Sequence, residues 1–314
     1  MISVLVSVPA FILGVIFLWK GSDILVEGTS KTAIHLGVSS LIISVILVGF
    51  GTSAPEFAIS VGAAIQNNSD ISLGNIIGSC VANLFLVLGI ASIIRPIKVK
   101  KPVIKREFSI VLVATIILVI ASYFNFLDAY RYIGGVVFLI IFSIFILFFV
   151  MCAKNERIKP TNSKASNIKK PVILIILGII GVIIGAWLLI ESAVVIADFL
   201  GIPTFVIALS LVAIGTSVPE LVVSAMASYR NEPDIAVGNV LGSNVFNILL
   251  ILGFAALFIP LKASDYIDHL VVLLIYTAIM FPLINFGQSI TRFKGIIMLG
   301  LFSVYIWFIF FSPW

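Results

Sequence analysis

Two glutamates stand where carboxylates are expensive. Glu56 and Glu220 each lie inside a long apolar run, and each closes the same kind of hexapeptide, GTSAPE at 51–56 and GTSVPE at 215–220. A fixed offset of 164 residues separates the copies, and the same offset pairs Asn75 with Asn239, Ser79 with Ser243 and Asn83 with Asn247. On a helix, Thr52 and Ser53 share a face with Glu56, and so does Ser60 one turn later. Asn75, Ser79 and Asn83 recur every four residues and form a second polar stripe. The other copy supplies Thr216, Ser217, Glu220 and Ser224, then Asn239, Ser243 and Asn247. Carboxylates, hydroxyls and amides together make an all-oxygen donor set, which suits hard cations such as Na⁺ and Ca²⁺.

Charge sharpens this chemistry. Two carboxylates about 4 Å apart repel by roughly 4 kcal/mol at an effective dielectric near 20. Both stay ionised only with a cation or a proton between them. One divalent ion neutralises the pair, and so do several monovalent ions, so different ions compete for one site. Pro55 lacks an N–H and crowds the carbonyl of residue 51, which predicts a kink near Gly51–Ser53 that frees carbonyls around Gly49–Gly51. Each feature also has a plainer reading. Ser and Thr in apolar helices often bond back to their own backbone, paired glycines often only pack, and a proline can be a kink and nothing more. A lone buried Glu can answer a Lys, but no Lys or Arg interrupts these runs. Two such glutamates in duplicate contexts favour a functional site.

The elements that must hold these residues follow from composition. The chain has 314 residues, 61% of them hydrophobic and 11% charged, with a mean hydropathy of +1.26. That excludes an ordinary soluble domain and predicts an all-α membrane protein. Ten apolar segments are expected, at about 2–19, 37–65, 71–94, 108–124, 132–152, 171–190, 202–228, 235–259, 269–286 and 295–312. They divide into a half at 1–152, a basic linker at 153–170 and a half at 171–314. Five spans per half force the second copy into the opposite orientation. This predicts two inverted-topology repeats with the ion site between them at mid-membrane. The loops at 20–36, 95–107, 153–170, 229–234 and 287–294 hold 17 of the 19 Lys and Arg residues. The positive-inside rule makes that side cytoplasmic, with both termini outside the plasma membrane. The basic pI of about 9.2 then reflects orientation, not nucleic acid. Cys80 and Cys152 form no metal or disulfide pattern. The first run lacks a basic n-region and a cleavage site, and reads as a retained span. Gly14, Gly21, Gly178, Gly181 and Gly185 suggest a smooth surface for sliding of the first and sixth spans over the core.

At GTSAPE…GNIIGSCVAN and GTSVPE…GNVLGSNVFN the chain resembles the cation/calcium exchanger superfamily, specifically the Na⁺/Ca²⁺ exchanger type and its prokaryotic relatives. The resemblance covers nearly the whole chain. It implies an antiporter exchanging Na⁺ for Ca²⁺ by alternating access, with these ions as substrates, the bilayer as surroundings, and no cofactor or obligatory protein partner. It implies a central Ca²⁺ held by Glu56, Glu220, Thr52 and Thr216. Flanking Na⁺ sites would use Ser53, Ser217, Ser79 and Ser243 with backbone oxygens near Gly49 and Ala213, and Asn83 and Asn247 would form the polar pair beside the ions. K⁺-dependent relatives place Asp where Asn247 stands, so Asn leans against K⁺ co-transport. H⁺/Ca²⁺ antiporters of the superfamily, the main alternative, typically carry another acidic residue where this chain has Gly78-Ser79. The linker is too short for separate regulatory Ca²⁺-binding domains. An intramembrane hydrolase, the remote alternative, would need a base near Ser53 or Ser217, but His35 and His269 lie outside the motif spans. A channel would pass ions without a counter-ion.

Overall fold

The computed structural model describes residues 4–155, 168–200 and 215–311. Runs this apolar have no water to satisfy their backbone, so they fold as helices. In chain order these are α1 (Val4–Leu36), α2 (Ser40–Thr52), α3 (Ala54–Ile65), α4 (Ser69–Ile94), α5 (Ser109–Tyr123), α6 (Arg131–Asn155), α7 (Lys169–Phe199), α8 (Val218–Tyr229), α9 (Pro233–Phe258), α10 (Ile267–Asn285) and α11 (Arg292–Phe311). Seven helices among the described residues are long and apolar enough to cross a membrane, and α2 with α3 makes an eighth as one bent span. The expected segment at 108–124 holds the 15-residue α5. The one at 202–228 is described only from Gly215 onward. A two-stranded pairing of Ile97–Lys98 with Ser289–Ile290 ties the end of α4 to the start of α11.

The sequence duplication reappears as a duplication of elements. Helix bounds Ala54–Ile65 and Val218–Tyr229 differ by the same 164 residues, as do Ser69–Val81 and Pro233–Val245. So do two π-helical stretches, Ala82–Val87 and Phe246–Ile251, inside α4 and α9. These two helices form the centre. In their most apolar windows 78% and 83% of residues are buried, against 28% for α1 and for α7. The outer helices turn large apolar side chains outward, such as Ile133, Ile140, Ile144 and Leu147 of α6, as lipid contact requires.

Two expectations need correction. Residues 20–36 are not a loop, because α1 continues through them as one 33-residue helix. Its polar residues find local or lateral partners: Lys31 pairs with Glu27 one turn away, and Asp23 pairs with Arg230 beyond α8 at 2.5 Å. Nor do the glycines of α1 and α7 face the core. A Cβ on Gly21 would sit 2.8 Å from the Val182 backbone, one on Gly178 2.7 Å from Leu25 Cα, and one on Gly185 2.6 Å from the Leu18 nitrogen. These glycines bring α1 and α7 backbone to backbone, so the plainer packing reading holds there.

Candidate cation-binding site

The bend between α2 and α3 measures 48° and falls at Ser53, whose ψ of 8° leaves the helical path. Pro55 in the first turn of α3 starts the new helix without needing an N–H partner. Ser217 has nearly the same backbone angles ahead of Pro219 and α8. Each bend therefore sets a Glu in the first turn of a fresh helix. The break lies at the end of the expected stretch, and the Gly49 carbonyl is not stripped of partners. It accepts the Ser53 N–H at 3.1 Å and is also approached by the hydroxyls of Ser243 at 3.3 Å and Thr52 at 3.4 Å.

The polar residues of both copies converge, and all but the half-buried Asn75 are buried. Glu56, Glu220, Asn83 and Asn247 are 0% exposed, and Thr52, Thr216, Ser53, Ser217, Ser79 and Ser243 are at most 3% exposed. The two copies interleave. Ser53 of the first donates to Glu220 Oε1 of the second at 3.1 Å, and Ser243 donates to the same oxygen at 3.2 Å. Thr52 donates to Asn239 Oδ1 at 3.0 Å, and Thr216 to Asn75 Oδ1 at 3.3 Å. The hydroxyls of Ser79 and Thr216 lie 3.4 Å apart, as do those of Thr52 and Ser243. Close approach makes this possible: on α9, a Cβ at Gly238 would meet the Leu41 carbonyl at 2.7 Å, and one at Gly242 the Val45 carbonyl at 2.5 Å. Of the expected site residues, only Ala213 lies outside those described.

Two further pairs support the glutamates from behind. Asn75 donates to Ser60 Oγ at 2.8 Å and to the Glu56 carbonyl at 3.4 Å, and Asn239 donates to Ser224 Oγ at 3.0 Å and to the Glu220 carbonyl at 3.2 Å. Their four-residue spacing from Ser79 and Ser243 signalled a shared face, but only the packed structure gives them this bracing role.

Several buried oxygens remain open. Among the described residues, both oxygens of Glu56, Oε2 of Glu220, the Ser217 hydroxyl, Asn83 Oδ1 and both amide atoms of Asn247 make no hydrogen bond. Buried polar groups left open cost a few kcal/mol each. No trio of His, Cys, Asp or Glu gathers among the described residues. Two carboxylates among hydroxyl and amide oxygens make a donor set whose chemistry matches hard cations, not a thiolate or imidazole site. His269 lies on α10 against Tyr266 and Phe308, and the Ser217 hydroxyl makes no hydrogen bond among the described residues.

The family model for sodium/calcium exchanger proteins matches residues 6–151 and 170–311. The chain is 30% identical to the sodium/calcium exchanger MaX1 of Methanosarcina acetivorans over 335 residues, covering 94% of this chain and 96% of that protein. It is 36% identical to an uncharacterized membrane protein of Methanocaldococcus jannaschii over 300 residues, covering 96% and 97%. A solved structure of the sodium-calcium exchanger NCX_Mj superposes with a TM-score of 0.86 at 36% identity, covering 96% of this chain and 98% of that one. MaX1 and NCX_Mj are exchangers, not enzymes, and the chain belongs to the sodium/calcium exchanger family.

Proposed function

We propose that the protein exchanges Na⁺ for Ca²⁺ across the plasma membrane by alternating access, with Glu56 and Glu220 sharing the transported ions. The observation that carries this reading is the set of open oxygens around two buried carboxylates. In the proposal Glu56, Glu220, Thr52 and Thr216 hold Ca²⁺. Ser53, Ser217, Ser79 and Ser243, with the Gly49 carbonyl and that of Ala213, hold Na⁺, and Asn83 and Asn247 complete the cage. An empty cage leaves the carboxylates repelling one another, so one ion species departs readily only as another arrives. That is the physical root of obligatory exchange.

The architecture supporting the proposal is ten spans in two inverted repeats of five, with residues 153–170 cytoplasmic and both termini outside. The repeated element bounds and, of the 17 basic residues assigned to one side, the 15 that lie outside α1 favour it. NCX_Mj was soaked with Na⁺, Ca²⁺ and Sr²⁺, and the same ions are the natural test set here. Sodium is taken over protons as counter-ion because, among the described residues, the cage brings together two motif glutamates and no third carboxylate, with Ser79 and Ser243 along the facing helices.

Reconstituted vesicles loaded with Na⁺ should take up radioactive calcium when diluted into Na⁺-free medium. Equal uptake driven by a pH gradient without Na⁺ would assign the protein to the H⁺-coupled class instead. If unequal charge is moved, an imposed potential should bias the flux, each net charge feeling about 2.3 kcal/mol per 100 mV.

A further inference from the structure

Within the polar cluster the two copies carry different residues at one pair of positions: Cys80 in the first, Asn244 in the second. Asn244 Nδ2 donates to the Cys80 carbonyl at 3.1 Å. A carbonyl can only accept, so it fixes which end of the Asn244 amide points toward it. Asn244 Oδ1 is thereby turned to Asn83, whose Nδ2 donates to it at 3.0 Å. With Nδ2 engaged, the end of Asn83 left without a partner is its oxygen, fully buried. The mirror arrangement is absent. The residue at the position matching Asn244 is Cys80, which has no amide to hold Asn247, and neither amide atom of Asn247 makes a hydrogen bond among the described residues.

We infer that Asn244 is a positioning residue that locks Asn83 so that its Oδ1 is always offered to the transported cation, whereas Asn247 is left free to turn either end inward. The relay runs from the Cys80 carbonyl through Asn244 to Asn83, and each link follows from donor and acceptor identity. An oxygen held in place does not have to be reoriented when the ion arrives, so the lock acts on affinity. The site thus contains one fixed amide and one adjustable amide. This inference rests on the reading of Asn83 as part of the ion cage.

Calcium uptake into Na⁺-loaded vesicles tests it, with Asn244→Ser, Asn83→Ala and the double variant compared with the unaltered protein. Asn244→Ser should raise the calcium KM about tenfold with kcat changed by less than about twofold, Asn83→Ala should do the same, and the double variant should be no worse than either. Asn244→Ala serves the same comparison where serine impairs folding. An unchanged KM in the Asn244 variants, or effects that multiply fully in the double variant, overturns the positioning role. An unchanged KM in Asn83→Ala overturns the placing of Asn83 in the cage, and that outcome is separable from the first.

Discussion

Glu220 and Glu56 begin equivalent helices and are equally buried, yet their surroundings differ. Glu220 has one oxygen fastened by Ser53 and Ser243, while neither oxygen of Glu56 has a hydrogen bond among the described residues. The counterparts of the two fastening serines are Ser217 and Ser79. The first closes no bond, and the second lies against Thr216. A duplicated motif has therefore produced one prepared wall and one waiting wall. The lesson is energetic. A carboxylate already held by two donors gains less from an arriving ion than one that is buried with none, so the cost of an empty cage concentrates at Glu56.

The most severe way to break this comparison is to remove either charge. Glu56→Gln and Glu220→Gln should each abolish Na⁺-driven calcium uptake, by about a hundredfold or more, since each carboxylate is half of the charge that balances a divalent ion. The two should part company in stability. Without ions, at a pH high enough to keep both carboxylates ionised, Glu56→Gln should gain about 1–3 kcal/mol by deleting a buried charge that no hydrogen bond offsets, while Glu220→Gln should change little because its oxygen still accepts from the same serines. Thermal unfolding in chelator reads this difference, and equal shifts would show that the walls are alike.

The serines sharpen the contrast at smaller scale. Ser53→Ala should cost about 1.5–3 kcal/mol in ion-free protein, the value of a hydrogen bond to a charged group, whereas Ser217→Ala should stay within about 0.5 kcal/mol. Saturating calcium, at about a hundredfold above its Kd, should stabilise the unaltered protein by about 2.7 kcal/mol. The smallest effect is expected far from either wall. Asp23→Asn loses a partly exposed pair with Arg230 and should cost no more than about 1 kcal/mol in a melting experiment.

Much of the site was legible before any coordinates. Helical spacing grouped Thr52, Ser53 and Glu56, although the 48° bend at Ser53 divides them between α2 and α3, and proline chemistry located that bend to within a residue or so. What could not be read was everything that depends on cross-copy contact. The widened π-helical turns carrying Asn83 and Asn247 have no residue signature, because they are stabilised by what packs against them. The continuity of α1 through Lys20 and Asp23 was obscured because hydropathy registers charge but not a lateral partner such as Arg230. The unequal dressing of the two glutamates was equally hidden, since their flanking sequences are almost the same.

The seam of glycines between α1 and α7 has a mechanical consequence. Helices whose backbones touch at Gly21, Gly178 and Gly185 leave no side-chain cushion through which one could shift while the other stayed still. The pair is thus a single stiff lever, and a bulky residue at any of these glycines would split it rather than slow it.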